Sequence, residues 1–130
     1  MTVELFTLCD FASNDNGHLT IINTLDKIVA DKLPWRAYFG FAISGTIKHE
    51  QPNNTILTLS IFEKAEEDSI IFETSTQIDS KIGKFAAAGN LRGLIFNKDG
   101  EYIFRIATNN GLRKDFTFYV AISQKIANVK

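Results

Sequence analysis

A chain of 130 residues with 45% hydrophobic and 22% charged residues has the composition of one folded domain, which excludes general disorder and leaves no room for a second core. A formal net charge of −1 without a basic run argues against nucleic-acid binding. One cysteine excludes an internal disulfide, and eleven phenylalanines call for a packed interior of the kind that extended strands hold well.

The chain opens Met1-Thr2-Val3-Glu4-Leu5, with neither the basic start nor the apolar run of a signal peptide, and no stretch is apolar for long enough to form a membrane helix. A cytoplasmic protein is expected. Residues 3–11 alternate in the period of a strand, and Asn14-Asp15-Asn16-Gly17 follows as a hairpin turn into a second strand from Leu19 to Leu25. A turn of two residues at Asn16-Gly17 sets Cys9 beside Thr24 and Phe11 beside Ile22, mixing the two faces. A turn of three residues, with Gly17 as the bulge residue, pairs Phe11 with Ile21 and Cys9 with Asn23. It gathers Leu5, Cys9, Phe11, Leu19, Ile21 and Leu25 on one side. Because a buried face fixes register, the bulged turn is the predicted one.

A long strand from Trp35 to Lys48 carries Trp35, Ala37, Phe39, Phe41, Ile43 and Ile47 on one parity and small or polar residues on the other. Pro52-Asn53-Asn54 turns the chain. Strands follow at 56–62 and 70–78, joined by the charged loop Glu63-Lys64-Ala65-Glu66-Glu67-Asp68. Residues 79–90 are rich in Ala and Gly and too long for a hairpin, so they are expected to cross between sheets, with a short helical turn carrying Ile82 and Phe85.

The last segments repeat the turn chemistry at Asn97-Lys98-Asp99-Gly100 and Thr108-Asn109-Asn110-Gly111. A bulged turn at Gly100 sets Phe96 opposite Tyr102 and Leu94 opposite Phe104. One at Gly111 sets Phe104 opposite Phe116 and Tyr102 opposite Phe118. The expected inner face runs through Leu94, Phe96, Tyr102, Phe104, Ile106, Phe116, Phe118, Val120 and Ile122. The fold class is therefore all-β. A single domain over residues 1–130 forms an eight-stranded antiparallel β-sandwich of the immunoglobulin-like, Greek-key kind.

Gly100-Glu101-Tyr102-Ile103-Phe104 resembles the tyrosine corner of immunoglobulin-like sandwiches, which implies a buried ring whose hydroxyl bonds to nearby backbone. Phe104 stands where the second cysteine would be, so the resemblance does not extend to an antibody-type domain. Leu8-Cys9-Asp10-Phe11-Ala12, the first turn, Leu19 to Asp26 and the late Gly-x-Tyr-x-Phe strand together resemble a family of small uncharacterised bacterial proteins. That resemblance implies a fold and a cellular context but no activity.

Cys9 is the obvious nucleophile candidate, but it faces inward without a basic neighbour and reads as a small buried hydrophobe. Asp10 lies beside it on the other face, and an inward Asn23 needs structural partners. The acidic loop at 63–68 lacks the spaced oxygen ligands of a Ca²⁺ site and reads as a solvated turn. Gly83-Lys84 lacks the earlier glycine of a phosphate-binding loop. With one cysteine and two distant histidines, no zinc site is expected, and no cofactor is implied.

The recognition candidates are Trp35, Arg36 and Tyr38, with Trp35 more in keeping with a lid on the core. Lys81, Lys84 and Phe85 of the crossing form a second contact zone. Converging titratable groups are scarce, so the expected role is that of a non-catalytic protein-binding or assembly module, with a protein partner or self-association through a free sheet edge. A sandwich binding a small ligand or carbohydrate is the alternative, and an enzyme using Cys9 or Asp10 the second. Neither nucleic acid nor membrane is an expected partner.

Overall fold

Segments that alternate apolar with polar residues extend because each strand can then bury one face, and the Asx-Gly turns let the chain reverse. The computed structural model describes residues 1–47, 55–77, 84–109 and 111–123. Among them are nine strands and no helix: β1 (Thr2–Asp15), β2 (His18–Leu25), β3 (Lys27–Ala30), β4 (Trp35–Thr46), β5 (Ile56–Glu63), β6 (Ile70–Gln77), β7 (Lys84–Phe96), β8 (Gly100–Thr108) and β9 (Arg113–Ile122). Two sheets pack face to face, one ordered β2-β1-β4-β7 and the other β3-β9-β8-β5-β6.

The core confirms the alternation read from β4, β8 and β9. Ala37, Phe39, Phe41 and Ile43 meet Leu57, Leu59, Ile61, Tyr102, Phe104, Ile106 and Phe118 across the layers, all buried. Trp35 packs against this core from its edge, as expected of a lid. The rings form a chain: Phe6 stacks on Phe116 at 4.4 Å between centroids and lies 4.9 Å from Phe104, which in turn lies 5.2 Å from Phe41. The β8–β9 register follows the bulged-turn reading, with Phe104 opposite Phe116 and Tyr102 opposite Phe118. Tyr102 buries its ring and donates its hydroxyl to the Lys98 carbonyl at 2.7 Å, the corner bond expected of it.

Five expectations are corrected. The strand count is nine rather than eight, because Lys27–Ala30 adds β3. The sandwich is not wholly antiparallel, since β3 pairs with β9 in parallel. The turn at Gly100 is a corner between sheets: β7 and β8 lie in opposite layers, so Phe96 meets Tyr102 edge-on across the sandwich at 5.0 Å. Residues 84–90 are not a crossing but the first half of β7, paired with β4 from Lys84↔Thr46 to Asn90↔Gly40; residues 79–83, including Ile82, lie outside the described residues. Small residues there let a strand pass through crowded space rather than form a loop.

The fifth correction concerns the first hairpin. Asp15 pairs with His18, Phe11 with Ile22 and Cys9 with Thr24, which is the two-residue register. Asn16 (φ 53°) and Gly17 (φ 90°) occupy the left-handed region together, as a type I′ turn requires. The main core takes Val3, Phe6 and Leu8 from β1, not Leu5, Cys9 and Phe11. Phe11 is exposed, and so is Asn23, which at φ 52° donates Nδ2 to Asp10 Oδ2 at 3.0 Å. The prediction assumed one buried face per strand, whereas β1 is buried on both.

Candidate functional site

The second buried face of β1 lies on the outside of the four-stranded sheet. β1 runs beside β4 as far as Cys9↔Gly40 and then leaves it. At that level the β1–β2 alternation breaks, with Asp10, Phe11, Ile22 and Asn23 all exposed. Beyond the break the hairpin folds over β4 and β7 as a strap. Asn90 on β7 donates Nδ2 to the Ala12 carbonyl at 2.7 Å, and its Oδ1 accepts the Ala12 N–H at 3.0 Å. Its side-chain amide thus imitates a strand neighbour. Asn14 donates to the Ala86 carbonyl at 3.2 Å. Gly40 makes the close approach possible, because a Cβ there would stand 2.6 Å from Asn90 Oδ1 and 3.1 Å from Ala12 N. Under the strap lies a small cluster of Cys9, Ala12 and Ala42, sealed by Leu19, Ile21 and Ala88.

This arrangement decides what Cys9 can do. The thiol is fully buried, and desolvation, seconded by the Asp10 carboxylate, pushes it above its ordinary value. A reactive thiol needs the reverse setting, electropositive and open. Asp10 spends one carboxylate oxygen on Asn23.

Beside the strap the same outer surface stays open. Tyr38 on β4 is 66% exposed, the most exposed large apolar side chain among the described residues. It pairs across strands with Arg92, and Arg36 pairs with Ile95, which is itself exposed. A bulge between Ala37 and Tyr38 interrupts the β4–β7 ladder where Gly93 adopts φ 87°. The Arg36 side chain lies across Gly93, where a Cβ would stand 2.9 Å from Nη1 and 3.3 Å from Cγ and Cδ. Both arginines are exposed, and neither has a carboxylate partner among the described residues. The other sheet treats its outer arginine differently: Arg105 is held by Asp115 (2.9 Å) and Glu67 (2.7 Å) and sits over the Phe62 ring at 4.7 Å.

The sequence candidates therefore separate. Arg36 and Tyr38 come together on the open outer surface. Trp35 belongs to the edge of the core. Lys84 is exposed at the start of β7, while Phe85 is buried in the core. These last two line a half-open cleft of about 1240 Å³, bordered by the hairpin tip at Asn16 and by Thr74 and Thr76 of β6. Lys81 lies outside the described residues. Arg92 was missed, and its signal was an Arg-Gly pair set among Leu91, Leu94, Ile95 and Phe96, a pattern that marks a bulge. Glu63 to Asp68 form the solvated turn expected of them, tied down by Lys64–Glu101 at 2.9 Å. Among the described residues, no three His, Cys, Asp or Glu side chains gather as metal ligands would, and no helix is long and apolar enough to cross a membrane.

A model described as a family of unknown function (DUF6941) matches residues 4–121, and the chain belongs to that family. No curated protein matches it. Among solved structures it is similar to the soluble domain of PmoD from Methylocystis sp. ATCC 49242 (Rockwell). The identity is 16% and the TM-score 0.43, over 92% of this chain and 90% of that one.

Proposed function

We propose that this domain is a non-catalytic, cytoplasmic binding module that takes a protein partner on the outer surface around Tyr38. One observation carries the reading: an aromatic ring 66% exposed, directly opposite Arg92 and two residues from Arg36, neither of which has a carboxylate partner among the described residues. Tyr and Arg dominate binding hot spots because a ring supplies rigid contact area and a guanidinium forks onto a carboxylate. The complementary partner is therefore a segment bearing Asp or Glu beside an apolar residue, the latter seating against Tyr38 and Ile95. The buried, protonated Cys9 supports a non-catalytic role. A single unpaired cysteine suits the cytoplasm.

The test is binding of the full chain to an array of acidic and neutral peptides, together with a panel of sugars. Selective capture of acidic peptides is expected, weakening as salt rises. Tyr38→Ala and Arg92→Ala should each lose it at least ~10-fold, a loss of about 1.4 kcal/mol. Tyr119→Ala, on a residue 50% exposed outside the other sheet, should leave binding intact. Equal binding by wild type and Tyr38→Ala would sink the proposal. Capture of sugars that depends on Tyr38 would move the assignment to a carbohydrate platform.

A further inference from the structure

A two-sheet sandwich has four edge strands, and each exposes a row of backbone N–H and C=O groups unless something blunts it. Three of the four are blunted here. β3 is only four residues long. β2 is broken by the left-handed Asn23 and folds into the strap. β7 carries Lys84, Arg92 and the bulge near Gly93, and the strap holds its first half through Asn14 and Asn90.

β6 is the exception. Its eight residues, Ile70-Ile71-Phe72-Glu73-Thr74-Ser75-Thr76-Gln77, contain neither Lys, Pro nor Gly. It pairs with β5 alone among the described strands, and from Glu73 onward it is exposed throughout. Which groups it offers follows from strand alternation. Ile56 of β5 directs its backbone N–H and C=O at Asn109, the continuation of β8. Leu57, Leu59 and Ile61 therefore direct theirs at Thr76, Thr74 and Phe72 of β6. Glu73 and Ser75 are left with N–H and C=O pointing outward, and the alternation ends beyond Phe72, where a bulge skips Ile71. The contact between Thr58 Oγ1 and Ser75 Oγ at 2.9 Å agrees, since side chains stand closest in pairs that exchange no backbone bond.

We infer that β6 is a self-association edge, at which a second copy of this chain adds its own β6 antiparallel about a two-fold axis at Thr74, joining the two five-stranded sheets into one. The strand's own sequence argues for this occupant. Antiparallel pairing must match outward groups with outward groups, so odd-numbered residues face odd-numbered residues. An axis at Glu73 would set two carboxylates directly opposite each other, which is unfavourable. An axis at Thr74 instead pairs Glu73 with Ser75 twice, each pair exchanging both backbone bonds. It sets Thr74 against Thr74 and Phe72 against Thr76, and it keeps a long overlap within β6. Threonine pairs of this kind favour pairing, and isologous two-fold contacts are the commonest way for like chains to associate. A contact made of one strand edge is small, so the dimer depends on concentration. This edge is separate from the Tyr38 surface, so each assignment can fail without the other.

Sedimentation velocity of the full chain over rising concentration tests the inference. The mass should rise from 14.6 kDa towards twice that value. Ser75→Pro removes an outward N–H and the exposed Thr58 Oγ1–Ser75 Oγ contact but none of the β5–β6 backbone bonds, so it should weaken the dimer at least ~10-fold while the circular dichroism of the sheets is unchanged. Independently, Thr74→Cys places two thiols across the axis in a pair whose Cα atoms stand about 4.5 Å apart, within disulfide reach. Mild oxidation should crosslink this variant. Ser75→Cys, which faces Glu73, should stay uncrosslinked, and the buried Cys9 stays out of both reactions. If Ser75→Pro fails to fold, the cysteine pair decides. A monomer at every concentration, a dimer indifferent to Ser75→Pro, or crosslinking of Ser75→Cys in preference to Thr74→Cys would overturn the inference.

Discussion

The two Asx-Gly hairpins of this chain begin from the same turn chemistry and end in different roles. β8–β9 stays flat within its sheet and supplies Tyr102, Phe104, Ile106, Phe118 and Val120 to the core. β1–β2 serves the core only as far as Leu8 and Leu25, then breaks at Asp10 and Asn23 and becomes a third layer over β4 and β7. A turn sequence thus specifies that two strands pair, but not which surface the pair covers. The second decision rests on residues far away in sequence: Gly40, which leaves room, and Asn90, which supplies the backbone's missing partners.

Breaking each hairpin in turn should separate these roles. Phe104→Ala, in the flat hairpin, removes a ring that touches both Phe6 and Phe41. It should cost about 3–5 kcal/mol in a denaturant titration and lower stability as one cooperative transition. Gly40→Val pushes the strap off the sheet and should cost about 1–3 kcal/mol. Its distinguishing sign is chemical, because Cys9 becomes reactive to a small alkylating reagent under conditions in which the wild-type thiol is inert. Asn90→Ala leaves the Ala12 N–H and C=O unpaired and should cost about 1–2 kcal/mol. Hydrogen exchange at Ala12 should accelerate while the amides of β8 and β9 keep their protection. If Gly40→Val and Asn90→Ala instead lowered protection everywhere alike, strap and sandwich would be one unit and the contrast would fall.

Arg105 holds the Asp115 carboxyl below the usual carboxylate range, chiefly by hydrogen bonding. A carboxyl lowered by folding contributes stability that is present above its unfolded pKa of about 4 and lost as pH falls through the folded value. Asp115→Asn should therefore lower the melting temperature at neutral pH and converge with wild type in acid. The pair is partly exposed, so the difference should stay below about 1 kcal/mol.

The open surface around Tyr38 was legible in part. Arg36 and Tyr38 stood out as residue types that dominate binding hot spots, on the parity of the strand opposite Ala37, Phe39 and Phe41. Arg92 could not be joined to them from sequence, since the pairing of β7 with β4 is a long-range fact and the small residues from Ala86 to Gly89 suggest a loop when read locally. The place of β6 at the end of the described sheet was equally hidden. Its composition is ordinary, and only the position of the strand at the end of a sheet gives that composition meaning.

Local chemistry in the sequence determined that the chain would be all-β, where it would turn, and which residues of β4, β8 and β9 would be buried; the resemblance to a tyrosine corner added that Tyr102 would be fixed through its hydroxyl. Those features depend on a period of two and on residues that tolerate positive φ, both written in neighbouring positions. Tertiary structure alone decided that Gly100 turns a corner between sheets, that β1 is buried on both faces, and that Cys9 lies beneath a strap. Each of those outcomes depends on which strands stack upon which, and the alternation within one strand does not say whether its second face is covered as well.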